Sequence, residues 1–260
     1  MTATFRRLGS LADLGDPWSS LPVLRADVPR YRQAIWWATP EALALSVDAG
    51  ESMRSLVGVG PPAGLARVVA EAFTPDGVPH PGSGISPGHV AVVSLTRGTW
   101  DLLPAPVRAS LGTTRASHWD WMVSTRAPVH QAGEDEVVEL DLSRDLPEMT
   151  ALQKLVLPDT YTRLDKPGTR WFGWRDRGGR LGAMAAASGW TDEVHLGSIV
   201  THPDLRRRGL ATAVTAAVTR DGLAATGQVS LGLYASNVTA RRVYQRLGFT
   251  LAQEWESRRP

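Results

Sequence analysis

The sequence predicts an α/β protein of two domains: an α/β domain over residues 1–133, and a mixed sheet with flanking helices over residues 134–260. The 260 residues are 43% hydrophobic, which is enough apolar surface for buried cores. In the second half, apolar stretches of strand length alternate with stretches of helix length. The first half has weaker periodicity with many glycines and prolines, and the polar, acidic segment 131–136 separates the two halves.

In the N-terminal domain, the spacing of apolar residues predicts three helices, over residues 30–38, 40–49 and 53–73. We then expect two strands, over residues 89–95 and 118–125, with a helix between them over residues 100–111. The C-terminal domain is more regular, and its predicted strands cover residues 137–142, 171–176, 181–189, 194–201, 228–235 and 249–256. Its predicted helices cover residues 145–157, 210–225 and 238–247. This order indicates a mixed sheet with a parallel pair near its centre.

Bulk properties exclude several classes of function. The formal net charge is only +2, with acidic residues interspersed among the arginines, so we expect no nucleic-acid partner. Cysteine is absent and the histidines lack metal-ligand spacing, so disulfides, thiol catalysis and a metal site are not expected. No apolar run reaches membrane-spanning length and no signal segment is recognised, so we expect no membrane association and a cytoplasmic location.

A basic, glycine-containing turn stands where the predicted strand 194–201 meets the predicted helix 210–225. Its residues are Arg206, Arg207, Arg208 and Gly209. The free N–H groups of a first helical turn and the positive end of the helix dipole attract anions, and glycine permits close approach of a ligand. The turn is therefore typical of a pyrophosphate site, with a solvated basic turn as the alternative.

Two motifs resemble the signatures of the GCN5-related N-acetyltransferase (GNAT) superfamily. The first is Arg206-x-x-Gly209-x-Ala211, and the second is Asn237-x-x-Ala240-x-x-x-Tyr244-x-x-x-Gly248-Phe249. Their wording is most similar to that of the FR47-like subgroup, and the resemblance covers about residues 137–256. It implies a GNAT-type sheet in the C-terminal half. It also suggests that the N-terminal half is a degenerate GNAT-like domain, as in tandem members of the superfamily.

The resemblance implies acetyl-coenzyme A (acetyl-CoA) as the cofactor. The strand 194–201 should splay away from the strand 228–235, so that its main chain binds the pantetheine arm and a backbone N–H stabilises the oxyanion. The resemblance implies that Asn237 contacts the CoA arm, and its alternative role is to cap the following helix. The residues implied in cofactor binding are Ile199, Val200, Thr201, Arg206, Arg207, Arg208, Gly209, Leu210, Ala211, Thr212, Asn237, Ala240 and Tyr244.

Three residues are candidates for moving protons. Tyr244 fits the general acid that protonates the departing thiolate, and a ring packed against the sheet is its alternative role. His195 and Glu193 are candidates for the base that deprotonates the amine, beside a water chain. Alternation along the strand is expected to place His195 on the same face as Gly197, Ile199 and Thr201. Instead of acting as bases, His195 could be a structural histidine on the strand and Glu193 a solvated turn residue.

The expected acceptor is a primary amine of a small molecule, attacked directly. An amine of a protein or peptide, or a non-catalytic acetyl-CoA-binding module, are the alternatives. A cleft between the halves is expected to bind the acceptor, and either a monomer or a homodimer fits the sequence. Several tryptophans could line such a pocket or belong to the core, namely Trp36, Trp37, Trp119, Trp121, Trp171 and Trp174.

Overall fold

The structure divides the chain into two compact units that are not continuous along the sequence. The computed structural model describes residues 4–26, 28–158, 160, 163–189 and 192–260. Unit 1 comprises Met1–Trp121, Tyr234–Ser236 and Ala252–Pro260, and unit 2 comprises Met122–Leu233 and Asn237–Leu251. The domain boundary expected between residues 133 and 134 stays a prediction. No helix among the described residues is long and apolar enough to cross a membrane.

Unit 1 is built on a mixed sheet. Its strands are β1 (Arg6–Arg7), β2 (Ile35–Ala38), β3 (Leu43–Gly50), β4 (Met53–Val59), β5 (Val90–Thr96) and β6 (Arg115–Ser124, which continues into unit 2). Its helices are α1 (Pro22–Arg25), α2 (Val28–Tyr31), α3 (Pro62–Ala70) and α4 (Ala105–Leu111). Neighbouring strands from β1 to β4 pair antiparallel, whereas β4 and β5 pair parallel. The helix α3 connects the parallel strands and packs its apolar face into the buried core of the unit.

Unit 2 repeats this order of elements. Its strands are β7 (Val137–Glu139), β8 (Thr169–Arg175), β9 (Leu181–Gly189), β10 (Val194–Thr201) and β11 (Val229–Tyr234), and its helices are α5 (Leu142–Val156), α6 (Leu210–Thr226) and α7 (Val238–Arg246). The last strand, β12 (Thr250–Arg259), begins in unit 2. The strands β7 to β10 pair antiparallel, and β10 and β11 pair parallel on either side of α6. The predicted mixed sheet with a parallel pair is therefore confirmed.

Most of β12 belongs to unit 1. There it pairs antiparallel with β5, from Trp255 opposite Thr96 to Arg258 opposite Val93. The indole of Trp255 is only 2% exposed, so this strand contributes apolar surface to unit 1 as well as backbone hydrogen bonds. Unit 1 is therefore completed by residues that follow unit 2 in the sequence.

The three helices predicted over residues 30–38, 40–49 and 53–73 are wrong over most of their length. The structure has β2, β3 and β4 there, and only α3 is helical within the third range. The residues from Leu43 to Val47 are all buried, and a continuous apolar run does not distinguish a buried strand from a helix. The turn from β3 to β4 uses Glu51 and Ser52 at positive φ, without the asparagine or glycine that signals a hairpin.

The sheet of unit 2 is covered by a different helix on each face. On one face, α6 packs Leu210, Val214 and Val218 against the small residues of β9, including Ala183 and Ala185. On the other face, α5 packs Met149 and Leu152 against the side chains of Trp171 and Met184. Because β10 lies within this sheet, each of its side chains faces either the α6 side or the α5 side.

Candidate functional site

The parallel strands β10 and β11 are paired only over their first residues and then separate. Their registered pairs are Val194 with Val229, His195 with Ser230 and Leu196 with Leu231, and the pairing ends there although both strands continue. The register of β10 against β9 shifts between Gly197 and Val200, where Ser198 has a φ of 48°. A β-bulge bends the strand that carries it, and within the described part of the chain no residue from 197 to 201 is in register with β11. The expected splaying of the two strands is confirmed.

The bulge also reverses which face each side chain occupies. Before it, Leu196 packs in the core on the α6 side, so His195 and Gly197 face the α5 side. After it, Ile199 packs on the α6 side and Val200 joins the core on the α5 side. The expectation that His195 shares a face with Ile199 and Thr201 is therefore wrong, because the additional residue of the bulge shifts the alternation by one position.

The turn that follows β10 ends in an open helix terminus. His202 caps a short 3-10 turn over Pro203–Leu205, where its side chain accepts a hydrogen bond from the Asp204 N–H. Gly209 then begins α6 with a φ of 82°, and no side chain of the described residues caps this terminus. The Ala213 N–H donates to the Gly209 carbonyl, so the N–H groups of residues 210–212 lie before the first backbone hydrogen bond of the helix. A Cβ built on Gly209 would meet none of the described atoms within 4 Å.

Positive charge surrounds this helix terminus. The side chains of Arg206, Arg207 and Arg208 are exposed. Arg207 adopts a φ of 64°, so the peptide groups before and after it point in different directions. Together with the helix dipole, three permanent cations next to open N–H groups form a site that suits a pyrophosphate.

Thr201 provides a further sign that this region holds a polar ligand. Its Oγ1 is buried and has no hydrogen-bond partner in the described part of the chain. A buried hydroxyl without a partner costs free energy, and this one lies on the splayed end of β10. The residues present therefore fit a long polar ligand that lies along the splayed strand and ends in a pyrophosphate.

Tyr244 lies on α7 and is 8% exposed. Its ring packs edge-on against Phe249, with 6.1 Å between the centroids. Burial raises the pKa of the Tyr244 phenol to about 12, so it keeps its proton at neutral pH. Both the packing role and the proton-donor role are compatible with this environment, and the role of general acid stays a prediction.

His195 and Glu193 are connected through a residue that sequence reasoning missed. The imidazole Nδ1 of His195 lies 2.8 Å from the Oγ of Ser230, and the Ser230 hydroxyl donates a short hydrogen bond to Glu193 Oε1. Gln228 Nε2 donates to the other carboxylate oxygen at 2.8 Å. Glu193 is fully buried, so it is not the solvated turn residue considered as its alternative. A single polar residue on the buried strand β11 was the available signal for Ser230.

The second motif contains a helix cap. The Asn237 Oδ1 accepts a hydrogen bond from the Ala240 N–H at 3.1 Å, which places Asn237 as the N-cap of α7. The capping role considered for Asn237 is thus observed. Contacts of Asn237 and Ala240 with a cofactor stay predictions.

The tryptophans with the lowest exposure serve the cores. Trp37 Nε1 donates to the Val68 carbonyl at 2.7 Å, and Trp171 Nε1 donates to the Leu164 carbonyl at 2.9 Å. Both indoles are 1% exposed. The core role considered for these residues is therefore observed in both cases.

Unit 1 contains a corresponding strand–turn–helix segment with different chemistry. After β4 and Gly60, α3 begins with Pro61 as its N-cap and Pro62 as its first residue, whereas three arginines precede the Gly209 N-cap of α6. The start of α3 therefore has no adjacent arginines, and its two prolines supply no N–H donor. The Glu41 carboxylate also packs against the first turn of α3, 3.4 Å from the position of a Cβ on Gly64. This helix terminus is therefore unsuited to a second anion.

Comparisons with known proteins agree with this geometry. Residues 172–259 match the family described as FR47-like protein. A GNAT-family protein from Novosphingobium aromaticivorans is 24% identical, with a TM-score of 0.51 over 97% of this chain and 95% of its own. A GCN5-related N-acetyltransferase from Kribbella flavida is 17% identical, with a TM-score of 0.51 over 93% of both chains.

The similarity to solved structures extends across both halves of the chain. An acetyltransferase of the GNAT family from Colwellia psychrerythraea has a TM-score of 0.52 at 13% identity, over 98% of this chain and 99% of its own. A comparison with curated proteins finds no match. The N-terminal half is thus GNAT-like in structure, as expected from the sequence. The chain has the fold of the GCN5-related N-acetyltransferases over nearly its whole length, and its residues 172–259 match the FR47-like family.

Proposed function

We propose that the protein is an N-acetyltransferase that transfers the acetyl group of acetyl-CoA to the primary amine of a small molecule by direct attack. The observation that carries this proposal is the succession of splayed strand, bulge and open helix terminus between Val194 and Thr212. A structural strand would continue its pairing, and a structural helix terminus would have a cap. Here both sets of backbone groups are left open next to each other, as a nucleotide-linked thioester requires.

Each part of acetyl-CoA has a set of residues that would hold it. The N–H groups of residues 207–212 and the side chains of Arg206, Arg207 and Arg208 would bind the pyrophosphate. The main chain of Ile199, Val200 and Thr201 would bind the pantetheine arm as an additional strand, with the Thr201 hydroxyl as a further partner. Asn237 and Ala240 at the start of α7 would support the arm. When bound, acetyl-CoA supplies an acetyl group activated as a thioester.

Proton movements are assigned to three residues of this chain. The buried Tyr244 keeps its phenolic proton at neutral pH, because burial raises its pKa to about 12, and we assign this proton to the departing thiolate. His195 and Glu193 lie on the α5 side of β10 and receive the proton that the acceptor amine must lose. The amine is protonated at neutral pH, so this proton acceptor is required before attack.

The experiment is calorimetric titration with acetyl-CoA of the wild type and of two matched variants, Gly209→Asp and Gly227→Asp. Gly209 begins α6 and Gly227 ends it, at similar positive φ of 82° and 76°, and in the part of the chain that the structure describes no atom lies within 4 Å of an added Cβ on either. The two substitutions therefore introduce similar backbone strain, but only Gly209→Asp adds a carboxylate at the pyrophosphate site. We expect binding to be lost in Gly209→Asp and retained in Gly227→Asp.

CoA release with a panel of amines then identifies the acceptor class. The panel comprises amino acids, polyamines, amino sugars and a lysine peptide. Turnover of a small amine with no turnover of the peptide supports the proposal. Turnover of the peptide alone favours a protein acceptor, and binding without any turnover favours a non-catalytic module. Absence of acetyl-CoA binding by the wild type would overturn the proposed function.

A further inference from the structure

A continuous hydrogen-bonded chain links the partly exposed His195 to a carboxylate that is fully buried. The chain runs from His195 Nδ1 to Ser230 Oγ at 2.8 Å, and from Ser230 Oγ to Glu193 Oε1. Its register is fixed by the sheet, because His195 and Ser230 are directly paired residues of β10 and β11. Backbone pairing thus holds His195 and Ser230 side by side, and Glu193 directly precedes β10.

The direction of these bonds follows from the number of protons available. Ser230 has one hydroxyl proton and donates it to Glu193. The Ser230 oxygen must then accept from His195, so the imidazole proton is on Nδ1. In a neutral imidazole this leaves the lone pair on Nε2. The buried carboxylate therefore selects the tautomer of His195 through the serine.

The electrostatic environment determines where an additional proton is most stable. Burial and the charge of Lys166 lower the pKa of His195 to about 3, so a lasting imidazolium is disfavoured. Burial raises the pKa of Glu193, despite its bonds from Ser230 and Gln228, and Asp192 adds to this effect. Both shifts favour a proton on the carboxylate over a proton on the imidazole.

We propose that Glu193, Ser230 and His195 form a proton wire in which Glu193 is the terminal base of acetyl transfer. His195 Nε2 takes a proton from the acceptor ammonium, Nδ1 passes its proton to Ser230 Oγ, and the serine passes its own proton to Glu193. The ammonium N–H bond breaks, a Glu193 O–H bond forms, and the histidine and serine end neutral. Ser230 is a positioning and relay residue. This inference rests on the proposed function.

We place the acceptor beside Gly197, at the outer end of this wire. Gly197 lies on the same face of β10 as His195, before the bulge. A Cβ built on Gly197 would meet no atom of the described residues within 4 Å. An amine in this space would lie next to His195 and beside the splayed strand that we assign to acetyl-CoA.

The wire is tested by nitrogen-15 NMR of labelled histidine in the full-length protein, which needs no acceptor. At pH 7, we expect His195 to be neutral with its proton on Nδ1. The variant Glu193→Gln keeps a carbonyl acceptor for the Ser230 hydroxyl, so the tautomer should persist. In Ser230→Ala the preference for Nδ1–H should be lost. A His195 that carries its proton on Nε2 in the wild type would overturn the proposal.

Kinetics with the best amine of the CoA-release panel test the function of the wire. We expect kcat to fall about 100-fold in both Ser230→Ala and Glu193→Gln. Affinity for acetyl-CoA should stay within about twofold, which separates this result from loss of the cofactor site. In mixtures of light and heavy water, a plot of kcat against the fraction of heavy water should be curved for the wild type and straight for Ser230→Ala.

The matched control is Ser188→Ala. Ser188 is paired with His195 on the other side, in β9, but its hydroxyl bonds Thr169 at 3.0 Å. Removing it perturbs the sheet next to the same histidine without interrupting the wire, so wild-type rates are expected. Partial rescue by Ser230→Thr, which restores a hydroxyl, would support the relay. Wild-type kcat in Ser230→Ala with intact acetyl-CoA binding would overturn it, and an inactive wild type would overturn the proposed function as well.

Discussion

Ser94 and Ser257 are hydrogen-bonded through their hydroxyl groups at 2.8 Å, although 163 residues separate them in the sequence. The bond joins β5 to β12 inside unit 1, where Trp119 Nε1 also donates to Ser257 Oγ at 2.8 Å. The ring of Trp255 stacks on that of Trp119, with 5.7 Å between the centroids. The strand β12 is therefore an integral part of unit 1.

Trp255→Ala is expected to lower the free energy of unfolding by about 3–5 kcal/mol, because a large buried ring would leave a cavity. Arg259→Ala, at an exposed position of the same strand, should change it by less than about 0.5 kcal/mol. Denaturant unfolding followed by circular dichroism measures both. Equal stability of the two variants would contradict the role given to β12.

Binding of one acetyl-CoA molecule per chain is expected, although both units contain a strand–turn–helix segment. The turn at Pro61 and Pro62 lacks the arginines and N–H donors of unit 2, and the carboxylate of Glu41 packs against the first turn of α3. Calorimetry gives the stoichiometry directly. Two equivalent sites, or binding that survives Gly209→Asp at full stoichiometry, would contradict this prediction.

Tyr244→Phe is expected to lower kcat about 100-fold with little change in acetyl-CoA affinity, because the ring packing remains and only the acidic proton is removed. Tyr234→Phe removes a hydroxyl from a largely exposed ring and serves as the control. Ionisation of tyrosine changes its ultraviolet absorbance. The part of this change that Tyr244→Phe lacks should occur near pH 12, since burial raises the pKa of Tyr244 to about 12. Titration near pH 10 would contradict its burial.

Asp145 links stability to pH at the start of α5. Its carboxylate accepts bonds from the Arg144 side chain and the Asp141 N–H, each at 2.8 Å, and the Arg144 bond is the main reason why its pKa is lowered to about 2. A lowered pKa stabilises the fold above the unfolded-state value near 4, and this contribution is lost as the pH falls toward 2. We therefore expect Asp145→Asn to lower Tm at pH 6 and to match the wild type near pH 2.

The control for this prediction is Asp165→Asn, whose exposed pair with Arg163 should contribute little to stability. Scanning calorimetry at pH 6 and pH 2 gives the Tm difference from the wild type for each of the two variants at each pH. A Tm difference for Asp145→Asn that is as large at pH 2 as at pH 6 would contradict the assigned charge interaction.

The elements of unit 2 could be predicted because its helices and strands have distinct apolar periods. The motif residues from Arg206 to Ala211 also identified the open helix terminus, because the glycine and the arginines are adjacent in sequence. The pairing of His195 with Ser230 could not be predicted, since it depends on the register of two strands separated by α6. The bulge at Ser198 escaped prediction because a serine at positive φ has no strong sequence signal.

The placement of β12 has a consequence for biosynthesis. Residues 252–259 are translated after all of unit 2, yet they supply a strand to unit 1. Domains usually fold in the order in which they leave the ribosome, but here the N-terminal unit must wait for a segment that is made after unit 2. Until then the edge of β5 has no partner in the nascent chain, and such an edge invites pairing with other chains. Synthesis of this protein therefore leaves an aggregation-prone edge exposed from the completion of β5 at Thr96 until residues 252–259 are made.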